Sequence, residues 1–221
     1  MDDAAVSVAL EQGAQTLGVR LDALELDQLL AYLHMLEKWG RVYNLTALRT
    51  REEMLTHHLL DSLALITPLR RYLARSGSRR GARLLDVGSG AGLPGVVAAV
   101  CCPQLAVTCV DTVAEKAAFV TQVALRLRLG NLCSLQARVE SVAAGFDIVV
   151  ARAFASLADL AQMSAGALDP GGVWIAMKGR LPEQELAALS AAVQVFHVEP
   201  LQVPGLDAQR CLVWMAPASG V

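Results

Sequence analysis

The chain has 221 residues, of which 54% are hydrophobic and 18% charged, and its formal net charge is -2. That length suits one domain, or one domain with a small appendage, and so apolar a chain at so small a net charge is not wholly disordered. The longest apolar stretch, Leu93 to Val110, is broken by Pro94, Gly95, Pro103, Gln104 and Thr108. A membrane span needs roughly 18 apolar residues in a row.

The chain starts Met-Asp-Asp-Ala-Ala, with acids where a secretory signal carries bases, so no export is expected and the expected location is the cytoplasm. Residues 4–75 read as helical. Leu26, Leu29, Leu30, Leu33 and Leu36 recur at three- and four-residue spacing and give one apolar face. Asp22 or Asp27 is the expected cap of that helix and Gly40 its expected end. Tyr43-Asn44-Leu45-Thr46 reads as a short connection, after which Leu55, Leu59, Leu60, Leu63 and Ile66 resume the helical period up to Pro68.

The small, polar run from Ser76 to Gly81 reads as a linker. It separates an expected helical cap, residues 1–78, from a second region, 79–221. Beyond it, short apolar runs at 83–87, 106–110, 132–136, 146–151, 172–178, 193–198 and 210–216 alternate with helical patterns near 93–101, 114–129, 156–166 and 183–192. Such alternation implies an α/β fold, a mostly parallel sheet with helices on both faces. The five cysteines, Cys101, Cys102, Cys109, Cys133 and Cys211, form no CxxC and no zinc-type Cys/His spacing. They are expected to be buried and reduced, and no metal is expected.

Charge is unevenly spread. From His34 to Arg83 there are ten Lys and Arg against four acids, which leaves this segment at +6 and the rest at -8. A local basic zone on a mildly acidic protein suits a polyanion such as nucleic acid, although a solvated helix face has the same composition.

The most informative stretch is Arg83-Leu-Leu-Asp-Val-Gly-Ser-Gly-Ala-Gly-Leu-Pro-Gly95. An apolar strand runs into Gly88, Gly90 and Gly92, and a helix starts near Leu93. Glycines there admit positive φ and let a ligand approach bare backbone at the carboxyl edge of the sheet. NAD, FAD and S-adenosylmethionine sites all use such a turn. Asp86, two residues before the first glycine, would repel a pyrophosphate at that helix N-terminus, whereas it would attract the ammonium and sulfonium of S-adenosylmethionine. Asp111, at the end of the next strand, is placed to accept from ribose hydroxyls, which either ligand carries. No GxxxxGK[ST] of a P-loop is present.

The D-x-G-x-G-x-G pattern with a strand-end acid resembles class I S-adenosylmethionine-dependent methyltransferases, which implies a Rossmann-like fold of seven strands with a final antiparallel one. The position after the fourth strand reads Val150-Ala-Arg-Ala-Phe154. It lacks the [ND]PP[FYW] of adenine-amine enzymes and the nucleophilic cysteine of cytosine enzymes. A closer resemblance covers nearly the whole chain. Tyr43-Asn-Leu-Thr46, His58-Leu-Leu-Asp-Ser62, Leu85 to Gly95, Arg138-Val-Glu140, Ala151-Arg-Ala-Phe-Ala-Ser156 and Lys178-Gly179 resemble the bacterial 16S rRNA guanine-N7 methyltransferases, the RsmG or GidB family.

That resemblance implies an S-adenosylmethionine cofactor touching Gly88, Leu93, Val139, Glu140 and Arg152, which join Asp86 and Gly90 at the turn and Asp111 at the end of the second strand as cofactor candidates. Arg152, Phe154, Ser156 and Lys178, at the exits of strands four and five, are candidates to hold the guanosine, with Phe154 stacking on the base. Asn44 and His58 would join them from the N-terminal helices. Guanine N7 has a free lone pair and no proton to lose, so no catalytic general base is expected. The expected partner is 16S rRNA in a small-subunit or precursor particle, met by a monomer. A class I methyltransferase of a small molecule or protein, and a non-catalytic nucleotide-binding module, are the alternatives.

Overall fold

The computed structural model describes residues 2–43, 48, 50–75 and 81–218, leaving aside the side chains of 41–43. Its centre is a sheet of seven strands: β1 (Arg83–Val87), β2 (Ala106–Asp111), β3 (Leu132–Gln136), β4 (Phe146–Arg152), β5 (Leu168–Lys178), β6 (Val193–Leu201) and β7 (Arg210–Pro217). They lie in the order β3-β2-β1-β4-β5-β7-β6. The first five are parallel, and β7 runs antiparallel to both β5 and β6. The order reverses at β1, between β2 and β4, so the turn that leaves β1 sits where open α/β sheets bind ligands.

Alternation along the strands builds two cores. Leu84, Ile148, Val150, Ile175, Leu212 and Trp214 join one cluster, and Leu85, Val149, Trp174, Val213 and Met215 the other. Helices α6 (Gly95–Cys101) and α7 (Ala114–Leu127) cover the first side, and α8 (Leu157–Ser164) the second. The short α9 (Glu183–Ala187) ends well before the expected 192. Strand β5 begins four residues ahead of the expected 172.

The N-terminal helices are α1 (Asp3–Thr16), α2 (Ala23–Tyr43), α3 (Arg51–Met54), α4 (Asp61–Leu63) and α5 (Ile66–Arg75). Asp22, not Asp27, caps α2. Its Oδ1 accepts from the Glu25 N–H at 2.8 Å while Glu25 Oε2 accepts from the Asp22 N–H at 2.9 Å, a reciprocal capping box. Gly40 does not end the helix, which continues to Tyr43. Gly40 is buried, and packing overrides a glycine cost of only about 1 kcal/mol. Between α3 and α4, Leu55–Leu60 winds as a π-helix, a widening that helical periodicity does not foretell and that recurs at functional sites. Asn44, Leu45 and Thr46, and residues 76–80 of the expected linker, lie outside the described residues.

These helices share the first core. Leu10, Leu29, Leu33, Leu36, Leu59 and Leu69 pack in one cluster with Val97, Phe119 and Ile148. Tyr32 and Trp39 of α2 meet Phe119 of α7 at ring separations of 6.3 and 5.3 Å. Four cysteines are buried as expected, but Cys133 is exposed on edge strand β3. No helix of the described residues is long and apolar enough to cross a membrane.

One bond ties α2 to the glycine turn. The fully buried Tyr32 donates from Oη to the Ala91 carbonyl at 2.7 Å. Burial pushes its phenol well above the usual value, so it stays a donor. Tyr32→Phe strands that carbonyl without water, which costs about 1–3 kcal/mol. Urea unfolding is expected to show that loss, and a change below about 0.5 kcal/mol would mean the bond is not holding the turn.

Candidate functional site

The chain leaves β1 through a turn in which Gly88, Gly90 and Gly92 take φ values of +64°, +58° and +89°. L-residues with side chains rarely adopt that region. Asp86 lies beneath the turn, 0% exposed, and the Gly95 N–H donates to its Oδ2 at 2.8 Å. Only glycine permits this approach. A Cβ on Gly95 would fall 2.5 Å from Cys109 Sγ and 2.8 Å from Asp86 Oδ2. The second oxygen, Oδ1, is buried and has no partner among the described residues. Burial pushes the Asp86 carboxyl up to about 7, opposed by the Gly95 N–H and by the charge of Arg152.

Asp111 closes the turn from β2. Its Oδ2 accepts from the Gly90 N–H at 2.9 Å and its Oδ1 from the Val113 N–H at 3.0 Å, with Lys116 Nζ 3.9 Å away. A carboxylate offers about four lone-pair sites, so these two bonds leave acceptor capacity. Leu93 is buried, and its N–H is spent on the Ser89 carbonyl.

A cavity of about 260 Å³ opens at the carboxyl ends of β1, β2 and β3. Gly88, Asp111, Val139, Glu140 and Phe154 line it, together with Arg138 and Met163. Five residues singled out in the sequence thus meet around one space. Asp86, Gly90, Leu93 and Arg152 are not in its wall. The volume falls just short of the roughly 300–1,000 Å³ usual for ligand pockets, and the Phe154 ring occupies part of its wall. A Cβ on Gly88 would stand 2.7 Å from Phe154 Cδ2, so that ring rests on the turn itself. Ala153, in the left-handed region at φ +54°, aims it there. Above Gly90, by contrast, a Cβ would meet nothing within 4 Å. A larger hollow of about 1100 Å³ along β6 and β7 contains none of the turn.

Arg152, at the end of β4, is bound to the N-terminal helices. It donates from Nη1 to the His57 carbonyl at 2.7 Å and to Asp61 Oδ2 at 3.0 Å. Its Nη2 lies 3.5 Å from His58 Nδ1. Arg210 of β7 donates from Nε to the other Asp61 oxygen at 2.8 Å. Asp61 is buried and so balances two guanidiniums, an arrangement that is costly to break by removing one partner. Burial and the neighbouring Arg152 push the His58 imidazole down to about 4, so it is neutral at pH 7.

Ser156 is the N-cap of α8. Its hydroxyl accepts from the Asp159 N–H at 3.1 Å and donates to the Asp159 carboxylate at 2.7 Å. Lys178 donates to the Ala155 carbonyl at 3.0 Å and to Glu185 at 2.8 Å, which pins the segment carrying Phe154. Asn44 lies outside the described residues. The described arginines and lysine of the basic zone do not line this cavity. Arg83 begins β1, the far end of the strand from the turn, with its guanidinium 4.5 Å over the Phe146 ring. Arg51 pairs with Glu37 and Asp3, Arg70 donates to the Cys101 carbonyl, and Arg71 pairs with Glu199.

Among solved structures, the architecture matches TrmN from Thermus thermophilus, with a TM-score of 0.55 at 19% identity over 74% of this chain and 53% of that one. It also matches the N-methyltransferase NodS from Bradyrhizobium japonicum, determined with S-adenosyl-L-homocysteine, at 0.52 and 17% over 70% and 86%. These likenesses establish the class I methyltransferase fold. A family model described as rRNA small subunit methyltransferase G, GidB, matches residues 25–213. The chain belongs to that family. The GidB relatives include the ribosomal RNA small subunit methyltransferase G of Polaromonas naphthalenivorans, 61% identical over 210 residues and 95% of each chain. That of an Acidovorax species is 58% identical over 215 residues, covering 96% of this chain and 95% of its own.

In this GidB chain, Tyr32, Arg210 and Met163 take no site role in the reading of the sequence, nor does Arg138, which enters there only as part of a family motif. Arg210 stands 149 positions from Asp61, and no local pattern links them. Asp86 and His58 give the fold opposite responses to pH. With its folded pKa raised to about 7, Asp86 contributes stability that is full below the usual carboxylate range and is lost as pH rises through 7. His58, depressed to about 4, contributes stability that is present above the ordinary imidazole value and lost as pH falls toward 4. Comparison with Asp86→Asn isolates the first. Between about pH 5 and pH 7 the wild type is expected to lose stability relative to the variant, by at most about 1.4 kcal/mol per pH unit. A difference in unfolding free energy that stays constant over that range would contradict the raised carboxyl.

Proposed function

We propose that this methyltransferase moves the methyl group of S-adenosylmethionine to N7 of a guanine in 16S rRNA, as a monomer acting in the cytoplasm on a small-subunit or precursor particle. The observation that carries the cofactor assignment is the Asp86 carboxylate, with one oxygen directly beneath the glycine turn that has no partner among the described residues. A buried acceptor without a donor fits a cationic ammonium and does not fit a pyrophosphate. The open backbone above Gly90 fits close approach of a ligand.

Gly88, Gly90 and Leu93 of the turn, Asp86 beneath it, Asp111 after β2, and Val139 and Glu140 after β3 are the residues assigned to the cofactor. Asp111 has lone pairs left for ribose hydroxyls. Arg152 has guanidinium protons beyond those spent on Asp61 and His57, and offers them to the amino-acid carboxylate. The cofactor supplies an electrophilic methyl on a sulfonium. The protein's task is then to present the N7 lone pair in line with that methyl, near 3 Å. No side chain has to take a proton, since N7 carries none.

Phe154 holds the base by stacking once its ring lifts from Gly88. Lys178 and Ser156 fix the segment that carries Phe154 and flank the guanosine. Neutral His58 approaches from the N-terminal side, Asn44 is assigned to the guanosine from the family resemblance, and residues 1–78 act as a cap on the catalytic region 79–221. The shared core of these helices with α6 and α7 supports that role.

The direct test is transfer of labelled methyl groups to rRNA, with N7-methylguanosine mapped by mass spectrometry. Phe154→Ala is expected to cut rRNA methylation at least about fivefold, as loss of a 1–3 kcal/mol stacking contact implies. Affinity for S-adenosylhomocysteine is expected to hold or rise, because the ring no longer fills the cavity. Equal loss of both would mean that Phe154 only packs the fold.

A further inference from the structure

A second hollow, of about 270 Å³, lies on the other face of the sheet, between α5 and strands β6 and β7. Its floor is Trp214, which belongs to the same apolar cluster as the N-terminal helices, whereas Phe154 and Met163 of the first cavity pack toward α8. Three rings stand together here. Tyr72 and Trp214 lie 5.3 Å apart, and Phe196 and Trp214 6.3 Å apart. Phe196 is 47% exposed. It is the residue skipped where the β6–β7 register shifts between Val195 and His197, and a bulge of this kind re-aims a side chain off the ladder.

The Trp214 indole N–H is buried and has no partner among the described residues. Buried indoles ordinarily find an acceptor. The rim is basic. Arg71 is held by Glu199 at 2.6 Å, with His197 3.6 Å from the same carboxylate. Arg75, one helical turn further on, is exposed and has no carboxylate within ion-pair distance among the described residues. Burial, and after it the Asp147 carboxylate, raise the Tyr72 phenol, and that carboxylate already accepts the Arg83 N–H. Exposed aromatic faces beside an unneutralised guanidinium suit a nucleobase with its phosphate. A core that merely ran short of cover would carry neither the free cation nor the bulge.

We propose that this hollow is a second contact for the substrate RNA, taking one unpaired nucleotide with its base against Phe196 and Tyr72 and its phosphate on Arg75. The assignment rests on the rRNA reading of the catalytic site. It gives the enzyme two handles on a folded RNA, one on each face of the sheet. Stacking is tolerant of base identity, so the subsite adds affinity rather than choice of the target guanine.

The test is binding of a fluorescently labelled single-stranded oligouridylate by anisotropy, with steady-state methylation of small-subunit particles, in wild type, Phe196→Ala and Arg75→Glu. Probe affinity is expected to fall about 5–20-fold in each variant, and KM for the particle to rise by a similar factor. The kcat and the affinity for S-adenosylhomocysteine are expected to stay unchanged. Arg75 is a surface position, so its variant answers the question even if Phe196→Ala lowers stability. Probe binding equal in all three proteins would overturn the subsite. A wild type that binds the probe through Phe196 yet methylates no rRNA would keep the subsite and remove the substrate reading.

Discussion

A carboxylate shut away from water at the seam between β1 and the glycine turn is the constraint on which the site depends. Asp86 accepts from the Gly95 N–H and, at 3.9 Å, from the Cys109 thiol, and its other oxygen has no partner among the described residues. Each glycine around it answers a different demand. Gly95 must lack a Cβ for its N–H to arrive, and Gly88 and Gly90 must turn left-handed to bend the chain over the acid. A buried acceptor left half-satisfied is costly by itself. On the cofactor assignment proposed above, it becomes favourable when a cation arrives, so that a stability defect serves binding.

The N-terminal helices are built into this arrangement. Tyr32 of α2 holds the turn from outside by the Ala91 carbonyl. Asp61, just after the π-helical stretch, holds the end of β4 through Arg152 and the start of β7 through Arg210. Arg152 also contributes charge that opposes the rise of the Asp86 carboxyl and depresses His58. The segment Ala151–Ser156 is thereby held at both ends, by Asp61 on one side and by Lys178 on the other. Phe154 lies between these anchors, resting on Gly88.

What could be read in advance was what is local in the chain. Strand positions followed from apolar runs, the α2 face from its leucine spacing, and the turn from three glycines and two acids. Val139 and Glu140 came only from resemblance, since a short 3-10 turn after β3 has no periodic signature. Long-range pairings were out of reach. Asp61 meets partners 91 and 149 positions away. Two of the residues picked for substrate, Ser156 and Lys178, are engaged by local partners instead, Asp159 and Glu185. Composition misled at Arg70 and Arg83, whose positive charges are turned to a carbonyl and an aromatic ring. Gly40 misled because propensity counts for less than burial within a long helix.

The central claim is that Asp86 greets a cation from beneath the turn, and calorimetry of S-adenosylhomocysteine binding against pH tests it most directly. An ammonium prefers the ionised acid, whose pKa before binding is raised to about 7. Affinity in the wild type is therefore predicted to climb by up to about tenfold per pH unit from pH 5 towards 7 and to level off above about pH 8. In Asp86→Asn that climb is predicted to vanish, with weaker binding at every alkaline pH. An identical pH profile in the two proteins would contradict the account.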